Sequence, residues 1–70
     1  MRYAIEIEKA GSNFCAYVPD LPGCVATGAS VAEVEANIRE AIEMHLDGLR
    51  EDGLDIPAAD SRVHYIDIAA

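Results

Sequence analysis

There is no tryptophan in these 70 residues, only one phenylalanine and three tyrosines. Any core must therefore be mostly aliphatic, drawn from five valines, seven isoleucines, four leucines and two methionines. No apolar run approaches the ~18 residues that a membrane-crossing helix needs. The opening MRYAIEIEKA alternates charged and apolar side chains, so it lacks the continuous apolar stretch of a secretion signal. Bases are scarce, with five Lys and Arg against thirteen Asp and Glu and a formal net charge of −8. Direct binding to DNA or RNA phosphates needs the opposite balance, as does docking on an anionic membrane. Cys15 and Cys24 form no C-x-x-C pair and the two histidines no H-x-x-x-H pair, so zinc spacing is missing. The expectation is a cytoplasmic chain with reduced thiols, no metal and no cofactor.

What is present is 51% hydrophobic, enough for a folded globule rather than an acidic tail. Twelve of those residues are alanine, however, which leaves nineteen large apolar side chains. Residues 1–70 are read as one domain. A domain this small buries only roughly 60% of its unfolded surface. Burial of each large side chain contributes about 1.5–3 kcal/mol, against an ordering cost of about 1.5 kcal/mol per residue. The two sums are comparable, so a homodimer or higher oligomer is expected to supply part of the stability.

Residues 2–8 alternate strictly, with Tyr3, Ile5 and Ile7 on one side and Ala4, Glu6 and Glu8 on the other, as in a half-buried strand. Lys9–Ser12 is a turn, and 13–18 form a second strand of a hairpin. Pro19-Asp20-Leu21-Pro22-Gly23 interrupts the pattern, and a short third strand, Cys24–Thr27, follows. Ser30 and Glu33 fit a capping box. Val31, Val34, Ile38, Ala41, Ile42, His45 and Leu49 then recur at three- and four-residue spacing, with Leu46 widening the stripe, which predicts a helix over 30–52 closed by Gly53. Val63–Ile68 alternates again. The predicted fold is α+β, β-β-β-α-β: a four-stranded mixed sheet of order 3-2-1-4 with one helix over Ile5, Ile7, Ile66 and Ile68.

Candidate chemistry is sparse. The cysteines sit in strand patterns and read as small buried hydrophobes. His45, on the apolar stripe, reads as a packing residue, and His64 carries little information. Glu6, Glu8 and Asp67 could share a sheet face and hold magnesium. A solvated face explains them as well, and no basic group is there to hold a polyanion beside them. The helix carries seven acids and two arginines, with Glu35, Arg39, Glu43 and Asp47 in one four-residue row.

The run Tyr17-Val18-Pro19-Asp20-Leu21-Pro22-Gly23-Cys24, then Ala26-Thr27-Gly28, then Ser30-Val31-Ala32-Glu33, resembles HicB-type antitoxins. So do Asn37–Ile42, His45–Leu49 and the exit Glu51–Pro57. The resemblance spans nearly the whole chain. It implies a partly degraded ribonuclease H-like fold and a non-enzymatic role: neutralising a small basic HicA-type toxin that cleaves mRNA. Many members of that family carry an appended DNA-binding domain. Residues 1–70 include none, so no direct DNA or RNA binding is expected of them. The alternatives are an orphan oligomeric regulator and a metal-dependent nuclease remnant. Asp20, Leu21, Pro22 and Gly23, with Glu35, Glu43 and Asp47, are the expected partner surface, Leu21 serving as an apolar anchor on a turn that two prolines make rigid. Tyr17, Val25, Val63 and Tyr65 are the expected oligomer contacts, with the short third strand as the free edge.

Overall fold

The structure, a computed structural model, describes residues 1–69. Its elements are β1 (Glu6–Ala10), β2 (Asn13–Tyr17), β3 (Val25–Gly28) and α1 (Val31–Glu51). The sheet is antiparallel throughout, in the order β1-β2-β3.

Register assigns the faces. Ile7 lies opposite Ala16, and Ala16 opposite Ala26, while Lys9, Phe14 and Gly28 form the next row. Directly opposed residues share a face, and this one lies beneath α1. Glu6, Tyr17 and Val25, with Glu8, Cys15 and Thr27, occupy the open face. The alternation in the first strand therefore assigned Ile5, Ile7 and the two glutamates to the correct sides. The paired segment starts later than the predicted 2–8, because β2 supplies ladder partners only for Glu6–Ala10.

The helix starts where the capping pattern places it. Ser30 is extended, and its hydroxyl accepts from the Glu33 amide at 3.1 Å, a cap worth about 1 kcal/mol. At the other end Gly53 N–H donates to Arg50 O and Leu54 N–H to Leu49 O, at 3.1 and 2.9 Å. These two bonds are the Schellman closure. Val34, Ile38 and Leu46 are buried against Ala16, Val18, Leu21 and Cys24, and together they form the core. Asn37 ties α1 to the sheet, its Nδ2 donating to Thr27 O at 2.8 Å. At the same corner Gly28 is buried against the first turn of the helix. α1 packs chiefly on β3 and β2. The β1 flank of the sheet is left uncovered, and Ile5 and Ile7 are only half-buried.

The predicted fourth strand is absent among the described residues. Residues 54–69 have neither helix nor strand, so the sheet is 3-2-1 without a fourth member, and Ile66 and Ile68 do not lie beneath α1. Val63, Tyr65, Ile66 and Ile68 are 58%, 93%, 81% and 77% exposed. An alternating sequence has the propensity to form a strand, but a strand needs a ladder partner, and among the described residues this segment pairs with none. The connector before it is tied down, with Tyr3 Oη donating to Pro57 O at 2.6 Å. Beyond Ser61 the chain runs outward. The radius of gyration is 13.8 Å, against about 11 Å for a compact chain of this length. The longest dimension is 48 Å, well over the ~31 Å of the 21-residue helix.

Candidate partner-binding surface

The turn between β2 and β3 is built from two successive reversals. Leu21 N–H donates to Val18 O at 3.0 Å, and Cys24 N–H donates to Leu21 O at 3.1 Å. Each reversal has proline at its second position, Pro19 and Pro22, where a φ near −65° is required. Gly23 follows at φ +82°, a left-handed value that the third position of the second turn demands. The double reversal curls inward at its middle. Leu21 is fully buried in the core, so it is not the exposed anchor expected from its place between two prolines. Pro22 and Gly23 remain exposed.

Asp20, next to the buried leucine, faces the other way. Its carboxylate accepts the Ser61 amide at 2.9 Å and the Ser61 hydroxyl at 2.8 Å. These bonds, the backbone one foremost, hold the Asp20 carboxyl below its usual range. The side chain is engaged within the chain rather than presented to a partner. Burial pushes the Cys24 thiol up, which keeps it a neutral packing group.

Glu35, Glu43 and Asp47 are all exposed on α1. Among the described residues the one ion pair is Arg50 to Asp47, at 3.2 Å between exposed groups. Within the row of Glu35, Arg39 and Glu43 no such pair forms among the described residues. Instead, Glu35, Arg39 and Glu43 stand along a groove that Tyr3, Ile5, Ile38, Ile42 and Leu46 also line, with a volume of about 430 Å³. The groove follows from the sideways placement of α1, and sequence reasoning missed it. The one local hint was Leu46, which widens the apolar stripe of the helix.

The open face carries a second feature. Tyr17 donates its hydroxyl hydrogen to Glu6 directly across the β1–β2 ladder. That bond to a carboxylate, followed by partial burial and the charges of Glu6 and Glu8, pushes the Tyr17 phenol up to about 12. The folded value exceeds the unfolded value of about 10. The stabilisation from this pair is therefore complete below pH ~10 and is lost as the pH rises through about 12. Tyrosinate absorbance should show one ionisation near 12 that moves down in Glu6→Gln; a late ionisation indifferent to that substitution would contradict the pairing. Glu8 lies two residues along the same face, whereas Asp67 lies on the exposed tail and not on a neighbouring strand. A three-carboxylate face of Glu6, Glu8 and Asp67 is thus not assembled, and among the described residues no cluster of three or more His, Cys, Asp or Glu could hold a metal ion. Of the expected oligomer contacts, Val25, Val63 and Tyr65 are exposed, Val25 on the sheet and the other two on the tail. His45 is half-buried and His64 exposed. No helix among the described residues is long and apolar enough to cross a membrane.

Residues 3–68, which include the double turn, the capped helix and the tail, match the family described as HicB_like antitoxin of bacterial toxin-antitoxin system. The chain belongs to the HicB-like antitoxin family. A 14.9 kDa protein from the rep-hol intergenic region of Haemophilus phage HP1, described as uncharacterized, is 38% identical over 66 residues. That match takes in 94% of this HicB-like chain and 50% of the phage protein. A UPF0150 protein of Helicobacter pylori is 48% identical over 48 residues, 69% of this chain and 67% of that one. The chain thus spans half the length of the phage relative. Among solved structures, a chain of the HicA3 and HicB3 toxin-antitoxin complex superposes with a TM-score of 0.74 at 32% identity. It covers 86% of the HicB-like chain described here and 70% of its own length.

Proposed function

We propose that this chain is the neutralising module of a toxin–antitoxin pair, binding a small basic toxin of the HicA type without catalysis of its own. The observation that carries the reading is its likeness, over 86% of its length, to a chain of a HicA–HicB complex. The charge distribution supports it. Seven acids and two arginines between residues 33 and 52 leave a local excess of five negative charges, all of them on exposed side chains. Such a surface competes with RNA phosphates for a basic toxin and steers its approach. Glu35, Glu43 and Asp47 act as steering charges at the rim. Pro22 and Gly23 offer a rigid shoulder that loses little entropy on docking. Asp20 positions that shoulder through Ser61 and does not itself touch the partner. The three-stranded sheet with its helix is read as a reduced ribonuclease H-like fold that has kept its scaffold and lost its chemistry.

The test is kinetic and uses a HicA-like protein from the same genome. Glu43→Gln with Asp47→Asn should lower the association rate severalfold, to roughly a tenth at low salt, and flatten its salt dependence, with little change in dissociation. An association rate indifferent both to salt and to these substitutions would remove α1 from the interface. Failure of the toxin to bind at any salt concentration would remove the antitoxin reading.

A further inference from the structure

We propose that Val63–Ile68 of each chain adds as a strand to the free edge of β1 in a second copy, seating Ile66 and Ile68 in that copy's groove between β1 and α1. The product is a twofold, strand-exchanged dimer.

Three independent features of one chain each lack a counterpart, and a second copy supplies all three. The first is the edge of the sheet. Among the described residues β1 is bonded only to β2, so its outer row of backbone donors and acceptors is open to a further strand. The second is the tail. It has the period-2 pattern of a strand, with Val63 and Tyr65 on one side and Ile66 and Ile68 on the other, yet all four are largely exposed. Apolar residues on both sides suit a strand within a covered sheet rather than a solvated coil. The third is the groove of about 430 Å³, walled by Ile5 of the β1 flank and by Ile38, Ile42 and Leu46 of α1. In the single chain Ile5 and Ile42 are only half-buried, so this part of the wall meets solvent, although Ile38 and Leu46 are themselves buried. A strand laid along β1 with its isoleucines turned toward α1 would cover that surface.

The tail cannot be regarded as merely loose, because its root is fixed. Ser61 is held by Asp20 through two bonds. From there Ser61, Arg62, Val63 and Tyr65 border a separate hollow with Ala4–Ile7 and Pro19, away from the groove. The tail thus departs beside β1, without pairing to it and without entering its own groove. Six extended residues reach about 20 Å beyond that root. Reciprocal exchange between two copies uses both tails and both grooves, so it closes on itself and leaves no sticky end. The expected oligomer thereby acquires a specific interface on the β1 edge, rather than on β3 as its shortness had suggested.

The experiment needs no toxin, so its outcome is separate from that of the functional reading. Sedimentation equilibrium of the full chain at micromolar concentration should give twice the 7.5 kDa monomer mass. Ile66→Asp with Ile68→Asp should raise the dimer dissociation constant by about a hundredfold or more. The helical circular dichroism should persist, because both side chains are exposed in the single chain. In a mixture of isotope-labelled and unlabelled chains, isotope-filtered spectra should show contacts between the methyls of Ile66 or Ile68 and those of Ile38 or Ile42 across two different molecules. A monomeric chain overturns the proposal. So does a dimer that the double substitution leaves intact, or methyl contacts confined to one molecule.

Discussion

Leu21→Ala is expected to cost about 2–5 kcal/mol, the range for removing a fully buried leucine without collapse of the site around it. A 70-residue domain has only about 4–10 kcal/mol in total, so the variant should be partly or wholly unfolded at ordinary temperature. The cost is high at this position because Leu21 is completely buried among Val18, Cys24, Val34, Ile38 and Leu46. It is held there by two turn hydrogen bonds through its own backbone, which prevents the turn from sinking into the space left behind. Urea melts followed by circular dichroism should show a lower midpoint with an unchanged slope. A loss below about 1 kcal/mol would mean that the turn can repack or that Leu21 is not a core residue. A weakened toxin complex in this variant would report lost fold, so binding must be measured on the folded fraction.

Gly28→Ala should be nearly as damaging, at about 3 kcal/mol. A Cβ at Gly28 would come within 2.7 Å of the Val34 nitrogen, 3.0 Å of its Cα and 3.1 Å of the Glu33 carbonyl carbon. All three are helix backbone, so no side chain can swing aside. The only relief is to push the first turn of α1 off β3, which would also strain the bond from Asn37 to Thr27. Gly48 provides the control in the same chain. It lies inside α1 with nothing within 4 Å of its added Cβ, and Gly48→Ala should raise stability by about 0.5–1 kcal/mol through helix propensity. Thermal melts of the two variants should therefore move in opposite directions. Equal losses would indicate that general helix sensitivity, not the β3–α1 corner, sets the effect.

How much of this could be read from the sequence depended on whether the cause was local. The start of α1 is written in Ser30 and Glu33 and its end in Gly53, because capping is settled within four residues. The sheet faces were legible from the alternation of Ile5, Glu6, Ile7 and Glu8. Ladder limits were less so, since they depend on how far β2 extends before Pro19. Leu21 misled because two prolines and a glycine around one leucine signal a loop, and only the successive turns bring that leucine inside. The tail misled in the opposite sense. Val63–Ile68 has a strand's pattern, but pattern supplies no partner. The groove was legible only as the widening of the apolar stripe at Leu46, since its shape depends on α1 packing chiefly on β3 and β2. The acidic row of Glu35, Glu43 and Asp47 was legible as charge, while its position along an apolar groove was not.

Asp20 and Leu21 are consecutive and point in opposite directions, one gripping Ser61 and the other gripped by the core. The double turn thereby acts as a fulcrum between the interior and the exit of the tail. Any shift of the packing around Leu21 is delivered to Ser61 as a change of aim, and each residue of tail beyond it lengthens the lever. Two proteins that pack this leucine differently would launch their tails along different lines. The direction in which the molecule reaches outward is thus decided inside it.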